Sequence, residues 1–379
     1  MIKRILYTLL IMFPVVASAQ INTDRVMAIG RNALYFEDYV LSIQYFNQVI
    51  NAKPYLSDPY FYRGLAKINL DDFQGAESDC SEAIERNPFV VSAYQVRGLA
   101  RIQQNNFAGA IEDYTKALEF APENIGVWHN MALCRIRQED YKGAKNDLDK
   151  LIAISPRYTK AYLMRGEVDL KQKDTLAAEK DFGKAIEIDR YDADTWASRA
   201  ILRLQQQRYK DAEADFDHAI RLSTRNSGVY INRALARYHQ NNLRGAMSDY
   251  DIALDIDPNN FIGHYNRGLL RAQVGDDNRA IQDFNFVIEM EPDNMMAIFN
   301  RGLLLDQTGD YKGAIKDYST VINEYPNFLL GYQYRAQARR KIGDVKGADA
   351  DEFKVLKAQL DKQLSLIHIS EPTRHLRIS

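Results

Sequence analysis

The residues of this chain best equipped for chemistry recur in step. Arginine stands at positions 63, 97, 165, 199, 233, 267, 301 and 335, each followed by Gly or Ala. Aspartate stands at 79, 113, 147, 181, 215, 249, 283, 317 and 351. Each Arg precedes an Asp by sixteen residues, and only Asp147 lacks its Arg, because Met131 fills that place. Two kinds of chemistry are open to such columns. A row of unpaired guanidiniums would grip an anionic ligand, whereas Arg and Asp facing one another would form a repeated ion pair with little free charge to offer. The strict coupling of the columns favours the ion pair, and Asp147 is expected to borrow Arg135, one helical turn beyond Met131.

Other reactive groups form no site. The six histidines, at 129, 218, 239, 264, 368 and 375, do not pair with Cys, carboxylate or each other at the spacing of a short metal motif. Cys80 and Cys134 fall in an internal packing column and in different repeats, which reads as two small buried hydrophobes. There is no phosphate-binding Gly loop and no serine nucleophile elbow. Asp249-Tyr-Asp251 and Asp255-Ile-Asp257 lack the glycine of a calcium loop and are expected on solvated helix faces. The expectation is a protein without catalytic activity, metal or cofactor.

The elements that carry these columns follow from a period of 34 residues. Proline recurs at 54, 88, 122, 156, 258, 292 and 326, and Arg190 and Thr224 hold the skipped places. An Ala column runs from Ala76 to Ala348, and an Ile/Leu column from Ile50 to Leu356, at the same interval. Within 91–124, Tyr94, Gly98 and Ala100 share a face. Asn105-Asn106 breaks the pattern, and Ala110, Tyr114, Ala117 and Leu118 begin a second helical stripe. Proline then opens the next connection because it cannot extend the helix. Each unit is therefore a pair of amphipathic helices, small residues letting them approach and large ones filling the space between units.

This pattern resembles the tetratricopeptide repeat (TPR) family over about residues 23–362. The matching columns are an early aromatic (Tyr60, Tyr94, Trp128, Tyr162, Trp196, Tyr230, Tyr332), the small residue four places later, the Ala column, a second aromatic column from Tyr114 to Tyr318, and the proline. Departures are Arg63 and its equivalents, where the family often has a large apolar residue, and Lys67, Arg101, Arg135, Arg203, Arg237, Arg271 and Arg339, where it often has Tyr. The resemblance implies an all-α fold: an α-solenoid, a right-handed superhelix of about ten helix–turn–helix units starting near 23, 57, 91, 125, 159, 193, 227, 261, 295 and 329. It also implies that the first helices of the units line a concave groove that holds a peptide or partner helix. Positions matching groove columns include Phe61, Gln95, His129, Leu163, Ile231, Tyr265 and Phe299, with Leu65, Leu99, Leu133, Ile201, Leu235, Leu269 and Leu303 in another. Asn130, Asn232, Asn266 and Asn300 match the column whose amide meets a bound peptide backbone.

Lys3 and Arg4, an apolar run from Ile5 to Val16 and Ala17-Ser-Ala19 have the organisation of a secretory signal peptide over residues 1–19, with the solenoid occupying 20–363. No Cys follows the cleavage point, and the apolar run is short for a bilayer span of about 20 residues. Export to the periplasm of a Gram-negative bacterium is expected, with the cell surface or the medium next. No stable membrane insertion is expected after cleavage. Residues 364–379 leave the repeat register; eleven of them, from Leu364 to Arg374, resemble the translation of a sequencing adapter and read as a non-native tail. A formal charge of −2 is too balanced to suggest nucleic acid as the partner. The expected function is a scaffold for other proteins or peptides. The alternatives are a module for carbohydrate or cell-wall fragments, which exposed aromatics in the groove would support, and an accessory domain of a larger protein.

Overall fold

The computed structural model describes residues 22–223 and 225–370. Residues 1–19, the expected signal peptide, lie outside these. The described residues form twenty α-helices and no strand. They divide into two compact units, one ending at Ile188 and one beginning at Asp189.

The first unit holds α1 (Thr23–Tyr35), α2 (Tyr39–Ala52), α3 (Asp58–Ile68), α4 (Phe73–Arg86), α5 (Val91–Gln103), α6 (Phe107–Phe120), α7 (Ile125–Arg137), α8 (Tyr141–Ile154), α9 (Thr159–Lys171) and α10 (Thr175–Ile188). The second holds α11 (Ala193–Gln205), α12 (Tyr209–Leu222), α13 (Ser227–His239), α14 (Leu243–Ile256), α15 (Phe261–Gln273), α16 (Asp277–Met290), α17 (Met295–Thr308), α18 (Tyr311–Glu324), α19 (Leu329–Lys341) and α20 (Val345–Ser370). Odd and even helices pair antiparallel, and each even helix also packs on the odd helix that follows within its unit. Odd helices of neighbouring repeats touch directly, as α3 with α5, α15 with α17 and α17 with α19. The helical backbone of α20 continues past Leu364 to Ser370, so the loss of repeat register there is no break in secondary structure.

The turn inside each repeat is built by two adjacent residues. The first has a left-handed backbone: Glu37, Asp71, Asn105, Glu139, Lys173, Gln207 and Asn241 at φ between 58° and 65°, then Gly275, Gly309 and Gly343. It ends the odd helix, because a residue there no longer continues the right-handed ladder. In most repeats the next residue caps the even helix, Arg208 and Asp276 being the exceptions: the carboxylates of Asp72, Asp140 and Asp310 accept the N–H of Gly75, Gly143 and Gly313 at 2.9–3.0 Å.

On the even helices the Ala column is buried, and one turn after it so is a column of rings and aliphatics that faces the odd helix: Phe46, Tyr114, Leu148, Phe182, Phe216, Tyr250, Phe284 and Tyr318. Burying each large side chain contributes roughly 1.5–3 kcal/mol. At Gly166 a Cβ would sit 2.6 Å from the Phe182 ring, so this helix approaches its partner only because the side chain is absent. Cys80 and Cys134 are buried and free, as expected. Burial pushes their thiols up to about 12 and about 11, which leaves them unreactive near neutrality.

Candidate functional site

The Arg column forms the expected ion pairs and more. Arg63, Arg97, Arg165, Arg199, Arg233, Arg267, Arg301 and Arg335 each bind the Asp sixteen residues on, with contacts of about 2.5–3.1 Å. Most also reach back sixteen residues to the even helix of the preceding repeat. Arg233 donates to Asp217 at 2.7 Å, Arg165 to Asp149 at 2.6 Å, Arg267 to Asp251 at 2.9 Å, and Arg335 to the Ser319 hydroxyl at 2.9 Å. One guanidinium thus ties three helices together. Its fork geometry makes this possible, and a lysine could not do it.

A second cation meets the same aspartates. Lys67, Arg101, Arg237, Arg271 and Arg339 lie one turn after the first column and bind the Asp twelve residues on. Arg101 and Arg237 also bind Glu77 and Glu213, 24 residues before them, at 2.8 and 2.7 Å. The sequence holds this signal, since a basic column recurs twelve residues ahead of the Asp column, as Arg135 does before Asp147. One repeat reverses the arrangement: Asp169 occupies the basic place, is buried, and pairs with Lys145, which stands where other repeats carry Glu77, Glu179 and Glu213. The solvated face expected for Asp249 does not occur. It is buried between Arg233 and Arg237, while Asp255 is exposed. The arginines are therefore spoken for internally and offer no free ladder to an anion.

Two aspartates mark the extremes. Asp283 receives Arg267, Arg271 and the His264 ring, whose Nδ1 lies 2.9 Å away. Burial raises its carboxyl, but the bonds from His264 and Arg267 more than offset this and hold it below the usual range. Asp147 does borrow Arg135, at 2.8 Å, but the buried Nε and Oδ2 atoms have no hydrogen bond, so the contact is close and misdirected. Burial raises this carboxyl to about 6, with Arg135 pulling it down only in part.

The groove positions separate into filled and open sites. Phe61 and Phe299 are half-buried. Phe61 packs on the Tyr60–Ala83–Ala93 cluster, and Phe299 lies 5.1–5.8 Å from the rings of Tyr318, Phe328 and Tyr334. Ile231 is buried in the core of its repeat, so it does not line an open groove. Gln95, His129 and Leu163 are half-buried, and the His129 ring lies edge-on to Tyr158. Of the Leu column, Leu269 is exposed and the others are half-buried.

The Asn column is likewise divided. Asn300 donates to the Tyr265 hydroxyl at 3.1 Å, joining α17 to α15. Asn130 lies beside the buried Tyr114 hydroxyl, without a well-formed hydrogen bond. Asn232 and Asn266 are half-buried, and their amides have no hydrogen-bond partner among the described residues. The exposed aromatics Tyr55, Phe89, Tyr191 and Tyr325 stand outside the groove columns, on the connections between repeats. Among the described residues no cluster of His, Cys, Asp and Glu could hold a metal. No described helix is long and apolar enough to cross a membrane.

Antiparallel helix pairs in a fixed period, tied together by buried ionic contacts and containing no assembled reactive site among the described residues, define a helical repeat protein with a binding scaffold's organisation. Family profiles described as tetratricopeptide repeat match residues 91–124, 125–158, 159–192, 198–261 and 265–327, and the chain belongs to this family, whose repeats serve as scaffolds for protein interaction. A tetratricopeptide repeat protein from Parabacteroides merdae has a similar fold, with a TM-score of 0.52 at 21% identity over 66% of this chain and 98% of that one. PilF of Pseudomonas aeruginosa gives 0.49 at 19% identity over 57% and 97%, and yeast Tom70 gives 0.41 at 15% over 92% and 94%. No curated protein sequence matches the chain.

Proposed function

We propose that this chain is an exported, non-catalytic scaffold that binds an extended peptide or a partner helix along the odd-helix face of residues 227–308. One observation carries this reading: Asn232 and Asn266 hold unpartnered amides in one column, beside Tyr265 and the Tyr265–Asn300 pair. A half-buried amide without a partner can take a peptide N–H and C=O at once. Tyr265 and Phe299 supply apolar contact, and Tyr265 is already oriented by Asn300, which lowers the cost of ordering on binding. In the first compact unit, Phe61 on α3 and Asn130 on α7 occupy the matching columns. The signal-peptide organisation of residues 1–19 supports export, with the periplasm as the compartment.

Changing Asn232, Asn266 and Asn300 together to Ala tests the groove. Capture of the partner from a periplasmic extract should weaken at least about tenfold, or about 1.4 kcal/mol, with an unchanged circular dichroism spectrum. Unaltered capture would reject the site. N-terminal sequencing of the exported protein should begin at Gln20; a retained Met1 would reject export with cleavage.

A further inference from the structure

The three connections that precede α15, α17 and α19 differ from those earlier in the chain. At one position, 34 residues apart, the helix starts that follow them place Ile262, Met296 and Leu330 in solvent, at 50%, 66% and 43% exposure. The same position in the preceding repeats is Asp58, Ser92, Gly126, Lys160, Asp194 and Gly228, polar or without a large side chain. Phe261, Met290 and Tyr325 are also exposed nearby along the sequence. Because α15 touches α17 and α17 touches α19, the three positions form one strip along the loop edge of the second compact unit. A cavity of about 390 Å³ opens in this strip, lined by Met295, Met296, Phe299, Tyr325 and Phe328, with Asp293 among its lining residues. Scattered apolar side chains on a surface need no explanation, but a contiguous patch with a cavity in it does. Methionines in such a cavity let it adapt to differently shaped apolar side chains.

Charge selects what can cover this strip. Residues 254–262, 288–296 and 322–330 contain six carboxylates, Asp255, Asp257, Glu289, Glu291, Asp293 and Glu324, and no Lys or Arg. Five of the six equivalent earlier connections carry Lys or Arg. Asp255, Glu289, Asp293 and Glu324 are exposed. An acidic rim repels an anionic membrane surface and favours a cationic partner.

We propose that this loop-edge strip is a second docking site, sharing Phe299 with the groove but none of its Asn column, for a basic amphipathic helix of another protein. Its apolar face lies along Ile262, Met296 and Leu330 with one side chain in the Met295–Phe328 cavity, and its Lys or Arg residues meet the carboxylate rim. The strip needs no contribution from the Asn column, so the two sites can be tested apart.

The probe is a fluorescein-labelled amphipathic helical peptide of Leu and Lys, with a Leu and Glu peptide of the same pattern as control, titrated against the full chain by fluorescence anisotropy. The Leu–Lys peptide should bind and the Leu–Glu peptide should not. Ile262→Ser, Met296→Ser and Leu330→Ser combined should weaken binding at least about tenfold, and Asp293→Lys should weaken it severalfold. All four positions are exposed, so the melting temperature should not move. The groove variant in Asn232, Asn266 and Asn300 should bind the peptide normally. Equal binding of both peptides, undiminished binding by the serine variant, or loss of binding in the groove variant would overturn the proposal. So would binding of the chain to vesicles of anionic lipid through the strip, or wild-type self-association that the serine variant abolishes, since either would give the strip a different occupant.

Discussion

Asp147 and Asp283 hold the same place in their repeats and behave in opposite ways. Both are buried by the same helix pairing. Asp283 is met by two guanidiniums and an imidazole, and its carboxyl is held below the usual range. Asp147 has Met131 where its repeat should supply an Arg, keeps one misdirected contact to Arg135, and is pushed up to about 6. Burial alone therefore raises an acid, and the number and direction of its hydrogen-bonded cations decide whether burial is overcome. A repeat scaffold makes the comparison clean, because the backbone around the two sites is nearly the same.

Removing a sole cation should give the largest effect. Asp317 pairs with Arg301 alone, because Leu305 stands where other repeats carry a second cation. Arg301→Met should destabilise by about 3–5 kcal/mol, the cost of an uncompensated buried charge. Arg233→Met should cost less, about 1–3 kcal/mol, because Arg237 remains on Asp249. Urea melts of the two variants test the order, and an equal loss would show that the second cation does nothing. Combining Arg301→Met with Asp317→Leu should recover part of the loss, and additive losses would show that the two groups do not interact.

Asp147 should show the reverse sign. Its folded-state carboxyl titrates near 6, above the ordinary value of 3.8, so the native state binds the proton more tightly than the unfolded state. Its contribution is fully present below pH 3.8 and is lost as pH rises through about 6. Asp147→Asn should therefore stabilise at neutral pH by about 1–2 kcal/mol and flatten the stability profile between pH 4 and about 6. The carboxyl carbon resonance of Asp147 should titrate near 6 and that of Asp283 below 3.8; coincident midpoints would abolish the contrast. Surface pairs should matter least. Arg340 binds Glu352 and Asp349 in solvent, and Arg340→Ala should leave the melting temperature unchanged within error.

Much of this was written in the residues. The 34-residue interval, the Gly/Ala column and the alternating helical stripes specify paired helices, because side-chain spacing sets which face of a helix is apolar and how closely two helices pack. The sixteen-residue coupling of Arg to Asp gave the ion pair, and Met131 announced the weak position at Asp147. The turn was half legible: Gly275, Gly309 and Gly343 advertise a left-handed residue, but Lys173 and Gln207 do the same work without saying so. Only the packing of the helix pair forces a non-glycine residue into that conformation.

The groove and the loop edge were decided elsewhere. The sequence alone placed Asn130, Asn232, Asn266 and Asn300 in one column and could not distinguish them. In the fold, Asn300 is bonded to Tyr265, Asn130 sits at Tyr114, and Asn232 and Asn266 stay open. Likewise Ile231 matches a groove column and yet is buried, and Asp249 looks solvated and yet lies between two arginines. Sequence by itself determined the repeating unit, since local periodicity and short-range packing are properties of each 34-residue stretch. Only the tertiary structure decided which polar groups are satisfied, because the reach of Arg233 back to Asp217 and of Asn300 to Tyr265 depends on how neighbouring repeats stand against one another, and no single repeat contains that information.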